Sequence, residues 1–218
     1  MKINKLWERY KFPRCEKCKK ECQGHLDYDN LCSNLNYLEE YGERNYEKNK
    51  ASFEELKKVI GNINPTIFSF GCGLGLDYIG AVEVFGDKLK YNGIDECKWA
   101  ITKTEDYKNF TPKLPKTIDY NTGIFLLNCS YDNLVICFFN SLFTISENSN
   151  LDKNLFDAVK NKDKFYLLCD YTINSNFHMP SQEQYFLDKF SNKLKQYFTI
   201  NQLEILDGKG IIIVAKRK

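Results

Sequence analysis

The chain of 218 residues lacks a charge imbalance: 31 Lys and Arg stand against 29 Asp and Glu, a formal net charge of +2. That excludes the molecule-wide field that drives non-specific nucleic-acid or membrane binding. No run approaches the roughly 20 apolar residues that a membrane span requires. Met1–Tyr10 has no apolar stretch, so no export signal is expected there. A disulfide framework is also missing. The nine cysteines are odd in number, and Cys72, Cys97, Cys129, Cys137 and Cys169 fall in segments expected to be core. A reducing cytoplasm is the expected setting. There is no internal repeat and no long low-complexity linker. With 15% aromatic and 28% charged residues, the composition is that of an ordered globular chain, one domain or one domain with a small extension.

What is present divides at about residue 50. Residues 1–50 are polar, aromatic and Cys-rich with weak periodicity, and residues 1–22 carry eight Lys/Arg against three Asp/Glu, a local +5. Lys216, Arg217 and Lys218 add a second small basic patch at the other end. From Ser52 the pattern is regular. Ser52 and Glu55 have the spacing of a capping box and predict a helix start. Strand-like runs then alternate with helix-like ones. The strands are expected at Thr66–Phe70, Tyr91–Ile94, Ile124–Leu127, Leu134–Phe139 and Phe165–Cys169. The helices are expected at Asp77–Phe85, Lys98–Thr104, Leu151–Val159 and Gln182–Tyr197. Phe198–Leu206 and Gly210–Ala215, joined by Asp207-Gly208, predict a closing hairpin. Alternating strands and helices call for an α/β fold with a parallel sheet between helical layers. The continuous apolar runs LVICFF and IIIVA fit strands buried on both sides.

The glycines of PTIFSFGCGLGLDYIGA stand between a buried strand and a helix. Gly71, Gly73 and Gly75 let the loop turn sharply and let a ligand approach the backbone. The helix start offers N–H groups to a polar ligand. A dinucleotide site requires G-x-G-x-x-G. Counting from Gly71 puts Leu76 in the sixth place, and counting from Gly73 puts Tyr78 there. The phosphate-loop pattern fails as well, because no Lys follows. G-x-G-x-G remains.

FSFGCGLG resembles motif I of the class I (Rossmann-like) S-adenosylmethionine-dependent methyltransferases. KYNGIDE agrees, placing Asp95 at the end of the second strand. The resemblance covers roughly residues 52–218. It implies a three-layer sandwich with a mostly parallel seven-stranded sheet and an antiparallel C-terminal hairpin strand. It assigns residues 51–218 to the methyltransferase domain and residues 1–50 to a Cys-rich basic extension. The implied cofactor is S-adenosylmethionine, with Gly71, Cys72, Gly73 and Gly75 as its loop. Asp95 would take both ribose hydroxyls, since a carboxylate offers two acceptors to two donors. Glu96 and Trp99 would border the adenine, and Asn128 would accept from the adenine amine. Phe138 would end the strand beneath the methionine part. One departure is visible: where the family has an acid, two residues before the first glycine, this chain has Ser69. A hydroxyl cannot neutralise an ammonium, which leaves Asp77 or backbone carbonyls for that role.

Cys15-x2-Cys18-x3-Cys22 is followed by His25 and Cys32. Two cysteines at x2 spacing chelate one ion from a tight turn, and a tetrahedron is completed by Cys22 or His25 with Cys32. Cys15, Cys18, Cys22 and Cys32 are the favoured zinc set. Such an ion would order a segment with little apolar material. The alternative is a set of reduced surface cysteines.

Methyl transfer needs an acceptor lone pair in line with the sulfonium methyl, and orientation supplies most of the acceleration. FFNS at the end of the fourth strand is not the [DN]-P-P-[YF] of exocyclic-amine methylation, and no Pro-Cys nucleophile is present. Asn140, Asp170 and His178 are the candidate catalytic groups, the last two as general bases. The expected activity is methyl transfer to an acceptor the sequence does not name, with RNA a candidate partner through the basic N-terminus. The alternative is a non-catalytic methyltransferase-like module acting as a partner subunit.

Overall fold

The computed structural model describes residues 29–103, 108, 116–139, 150–170, 182–206 and 210–218. The first described helix, α1 (Leu31–Tyr37), is capped by Asn30, whose side-chain oxygen accepts from the Ser33 N–H at 3.2 Å. A π turn over Leu38–Gly42 leads without a break into α2 (Glu43–Ile60). The expected helix start at Ser52 is therefore corrected. Ser52 lies inside α2, fully buried, and its hydroxyl donates to the Lys48 carbonyl at 3.0 Å. Back-bonding to the previous turn is how a mid-helix serine satisfies itself. The boundary expected between residues 50 and 51 falls within this helix. The buried face here carries Ser33, Asn34, Asn45 and Asn49, so the segment shows no apolar period.

The sheet follows the order β2-β1-β3-β4-β6-β5. Its strands are β1 (Thr66–Phe70), β2 (Lys90–Ile94), β3 (Leu134–Phe139), β4 (Lys164–Asp170), β5 (Phe198–Ile205) and β6 (Gly210–Arg217). β1 to β4 pair in parallel, while β6 runs antiparallel between β4 and β5. The helices between them are α3 (Leu76–Phe85), α4 (Tyr120–Leu127), α5 (Leu151–Val159) and α6 (Gln182–Leu194). Strand alternation splits the core into two layers. Phe68, Phe70, Ile136, Phe138, Leu167 and Ile213 pack beneath α4, α5 and α6. Ile67, Val135, Cys137, Tyr166, Leu168 and Ile212 pack beneath α2 and α3. This is the three-layer α/β sandwich the sequence predicts.

Two expected elements change type. Ile124–Leu127 is helical, not a strand, so the sheet has six strands among the described residues. Asp119 explains the difference: its carboxylate accepts from the Thr122 N–H at 2.9 Å and hydroxyl at 2.6 Å, capping α4. Gly123 then lets α4 lie against Ile94, whose Cδ1 is 2.6 Å from where a Cβ would stand. Only one parallel bridge, Ile94 to Ile118, extends the sheet beyond β2 among the described residues. Over the expected second helix, the described chain forms a single 3-10 turn, Ala100–Lys103. Among the described residues no helix is long and apolar enough to cross a membrane.

Candidate cofactor site

β1 lies between β2 and β3. The chain leaves it to one side for β2 and returns on the other for β3. Such a reversal opens a crevice at the carboxyl ends of parallel strands, which is where open α/β sheets bind ligands. The glycine turn occupies that end. Gly71, Gly73 and Gly75 have φ of +68°, +52° and +69°, a left-handed backbone that strains any residue with a Cβ. The Gly71 and Cys72 N–H groups both donate to the Ile94 carbonyl, at 2.7 and 3.2 Å. The Gly75 N–H donates to the Cys72 carbonyl at 2.8 Å, and Gly75 leads into α3. Leu74 and Leu76 anchor the turn in a small core with Leu38, Tyr46, Trp99 and Ile101.

Asp95 follows β2 and locks this turn. One carboxylate oxygen accepts from the Gly73 N–H at 2.7 Å, and the other from the Cys97 N–H at 2.8 Å. Each oxygen keeps a further lone pair. Burial raises the Asp95 carboxyl above its ordinary value, while these two N–H groups and the Trp99 indole favour the ionised form. Glu96 beside it is exposed. Trp99 is buried, its ring lying over Gly73 and 5.2 Å from the ring of Tyr37. The Ile101 N–H donates to the buried Asn34 side chain at 3.0 Å. α1 is thereby fixed against the site through Tyr37 and Asn34.

Beneath the turn sits a sealed polar group. Asp77, in the first turn of α3, is 2% exposed and accepts from the Tyr91 hydroxyl at 2.6 Å. Burial raises its pKa; the Ser69 and Tyr91 hydroxyls and the nearby backbone N–H groups of Tyr78 and Asp77 oppose that. Ser69 is fully buried in β1. Ser69 Oγ and Asp77 Oδ1 each lack a hydrogen bond of good geometry among the described residues. Burial also pushes the Cys72 thiol and the Tyr91 phenol well up, with the Asp77 charge adding to both.

The structure thus brings Ser69, Gly71, Cys72, Gly73, Gly75, Asp77, Asp95 and Glu96 to one end of β1 and β2. Phe138 reaches the end of β3, but its side chain is core, stacked 5.2 Å from Phe70. Asn128 is a correction. It closes α4 after that helix has run back from Ile118, beside the end of β2, towards the start of β3. Its amide donates to the Ile124 and Phe125 carbonyls at 3.0 and 3.4 Å, so it lies at the opposite end of the sheet from the glycines. Asp170 closes β4, in register with Phe139 and Gly210. Asn140 and His178 lie outside the described residues, as do Cys15, Cys18, Cys22 and His25. Cys32 is half-buried in α1. Among the described residues no group of three or more His, Cys, Asp or Glu is placed to hold a metal. Sequence reasoning missed Tyr91, Tyr37 and Asn34. Their roles depend on partners 14, 62 and 67 positions away in the chain, and no local pattern signals that.

No protein-family model matches this sequence, and no curated protein matches it. Solved structures do resemble it. A Staphylococcus aureus protein assigned as a caffeoyl-CoA O-methyltransferase shares 16% identity at a TM-score of 0.54, covering 83% of this chain and 91% of that one. A Klebsiella pneumoniae protein assigned as an O-methyltransferase shares 8% at 0.51, covering 80% and 87%. The pyocyanin biosynthetic protein PhzM shares 10% at 0.51, covering 93% of this chain and 61% of PhzM. The fold is the Rossmann-like three-layer α/β sandwich of these methyltransferase structures.

Proposed function

We propose that this chain binds S-adenosylmethionine at the Gly71–Gly75 turn and transfers its methyl group to an acceptor. One observation carries the reading: the turn closes on Asp95, at the carboxyl ends of β1 and β2, in the crevice where strand order reverses. The residues fit the cofactor. Asp95 holds a spare lone pair on each oxygen for a ribose diol. The glycine turn is bare backbone. Asp77 lies buried just below the turn, and its carboxylate supplies the negative charge towards the cofactor's ammonium that Ser69 lacks.

When bound, S-adenosylmethionine supplies a methyl group on a sulfonium, already activated for attack. The protein's part is then orientation and exclusion of water. Asp95 fixes the ribose, and the glycine turn sets how close the cofactor lies to the backbone. Trp99, Tyr37 and Leu38 wall the turn on the side of α1. The acceptor enters past the ends of β3 and β4, where Asn140 and Asp170 follow and close those strands. As acceptor we favour RNA over a small molecule, on the local +5 of residues 1–22. Calorimetry with S-adenosylmethionine and with NADH tests the reading. Saturable binding of the former alone supports it, and no binding of the former rejects it.

A further inference from the structure

Lys164 and Lys216 are direct cross-strand partners in the antiparallel β4–β6 pair, and both are exposed. Like charges placed directly opposite each other destabilise a sheet. Neither lysine has an ion-pair partner among the described residues. The Lys164 ammonium sits 4.8 Å from the centre of the Tyr166 ring. The register therefore holds two cations side by side, neither in an ion pair among the described residues.

The surroundings extend this pair into a ridge. The Arg217 N–H donates to the Asp163 carbonyl at 2.7 Å, and the Lys218 N–H to the Tyr197 carbonyl at 3.1 Å. These bonds stitch the end of β6 to the turns leading into β4 and β5. Lys162, Lys195, Arg217 and Lys218 consequently join Lys164 and Lys216 at one end of the sheet. Lys160, also there, is paired with Asp157, and Asp87, Asp132 and Asp163 are further carboxylates at that end among the described residues. Lys162 donates to the Cys129 carbonyl and lies 5.7 Å from the Tyr131 ring centre. Tyr197, whose carbonyl accepts from the Lys218 N–H, is 44% exposed at the same end, its ring packed edge-on against Phe156 at 5.6 Å.

We propose that this ridge is a docking surface for the phosphodiester backbone of RNA. Clustered cations neutralise successive phosphates, and an exposed ring among them offers a stacking platform for a base. A lipid surface would call for an amphipathic helix with a broad apolar face, and the ridge offers one exposed ring, Tyr197. The ridge lies at the end of the sheet opposite the glycine turn. A strand of six residues spans about 20 Å, so an acceptor touching both ends must be a long chain. The link to catalysis rests on the methyl-transfer reading; RNA binding by the ridge does not.

The test is fluorescence anisotropy of the full chain with a labelled single-stranded RNA of about 20 nucleotides, titrated over a range of salt. Replacing both lysines, Lys164→Gln with Lys216→Gln, should weaken binding about tenfold. It should also flatten the plot of log affinity against log salt by about 1.4, for two phosphate contacts on a single strand. The thermal midpoint of the double variant should equal or exceed the parent's, because the repulsion is gone. Lys195→Gln with Lys218→Gln, outside the strands, should reduce affinity in the same direction without touching the sheet. Unchanged affinity and slope in both pairs would overturn the proposal. So would displacement of the RNA by polyglutamate or phosphatidylserine vesicles at equal charge. S-adenosylhomocysteine calorimetry on the same samples keeps the two readings apart: its failure rejects the cofactor assignment and leaves the ridge result standing.

Discussion

The Gly73 N–H donates to the Asp95 carboxylate at 2.7 Å, across 22 positions of sequence. This bond joins the turn after β1 to the turn after β2. Asp95 therefore shapes the glycine turn even before any ligand is considered. The carboxylate acts as both a structural clasp and a candidate ribose ligand.

A side chain at Gly73 would be strained and crowded. Its φ is +52°, and a Trp99 ring atom lies 3.3 Å from where a Cβ would stand. Gly73→Ala should therefore cost about 1–2 kcal/mol from the left-handed backbone. Chemical denaturation reads that loss. A neutral result would mean that the turn is looser than described.

Asp77→Asn should separate stability from binding. The buried carboxyl has a raised pKa, so its ionised form is penalised in the native state. The amide can still accept from Tyr91 without that charge. The variant should melt a few degrees higher at neutral pH, yet bind S-adenosylmethionine at least tenfold more weakly. Equal affinity would remove Asp77 from the ammonium site.

A carboxyl with a raised native pKa binds its proton more tightly when folded. Its contribution to stability is therefore greatest at low pH and falls as pH rises from 3.8 through the raised native value. The stability gap between Asp77→Asn and the parent should accordingly shrink on acidification. Cofactor affinity should move the other way, weakening as Asp95 is protonated, with a midpoint above 3.8. Parallel melts and titrations over pH 4–8 compare the two trends.

Asn34→Ala tests how firmly α1 belongs to the domain. Its buried side chain accepts from the Ile101 N–H, and truncation strands that donor at about 1–3 kcal/mol. A single cooperative unfolding transition with that loss shows α1 to be part of the domain core. An unchanged midpoint shows it to be separable.

Much of this is legible in the residues. β3 and the Ile211–Ala215 stretch of β6 are continuous apolar runs because both their faces are covered, and α5 begins and ends where its period does. Asp95 stands out by its distance from the glycines. The failures share a cause, namely polar groups whose role lies elsewhere in the fold. Ser52 has the look of a cap but is buried within α2. Asp119 caps α4, although Ile124–Leu127 has the composition of a strand. Reading that segment as a strand carries Asn128, which follows it, to the wrong end of the sheet. Tyr91 gives no sign of its bond to Asp77, because burial of a phenol against a distant carboxylate leaves no local pattern.

The central claim is that the Gly71–Gly75 turn and Asp95 form one S-adenosylmethionine site. Isothermal calorimetry of the parent chain and Asp95→Ala with S-adenosylmethionine tests it most directly. The account predicts one site per chain in the parent and at least tenfold weaker binding in the variant, which loses the ribose ligand and the clasp on Gly73 together. Equal affinity in both, or no binding by the parent, would contradict it.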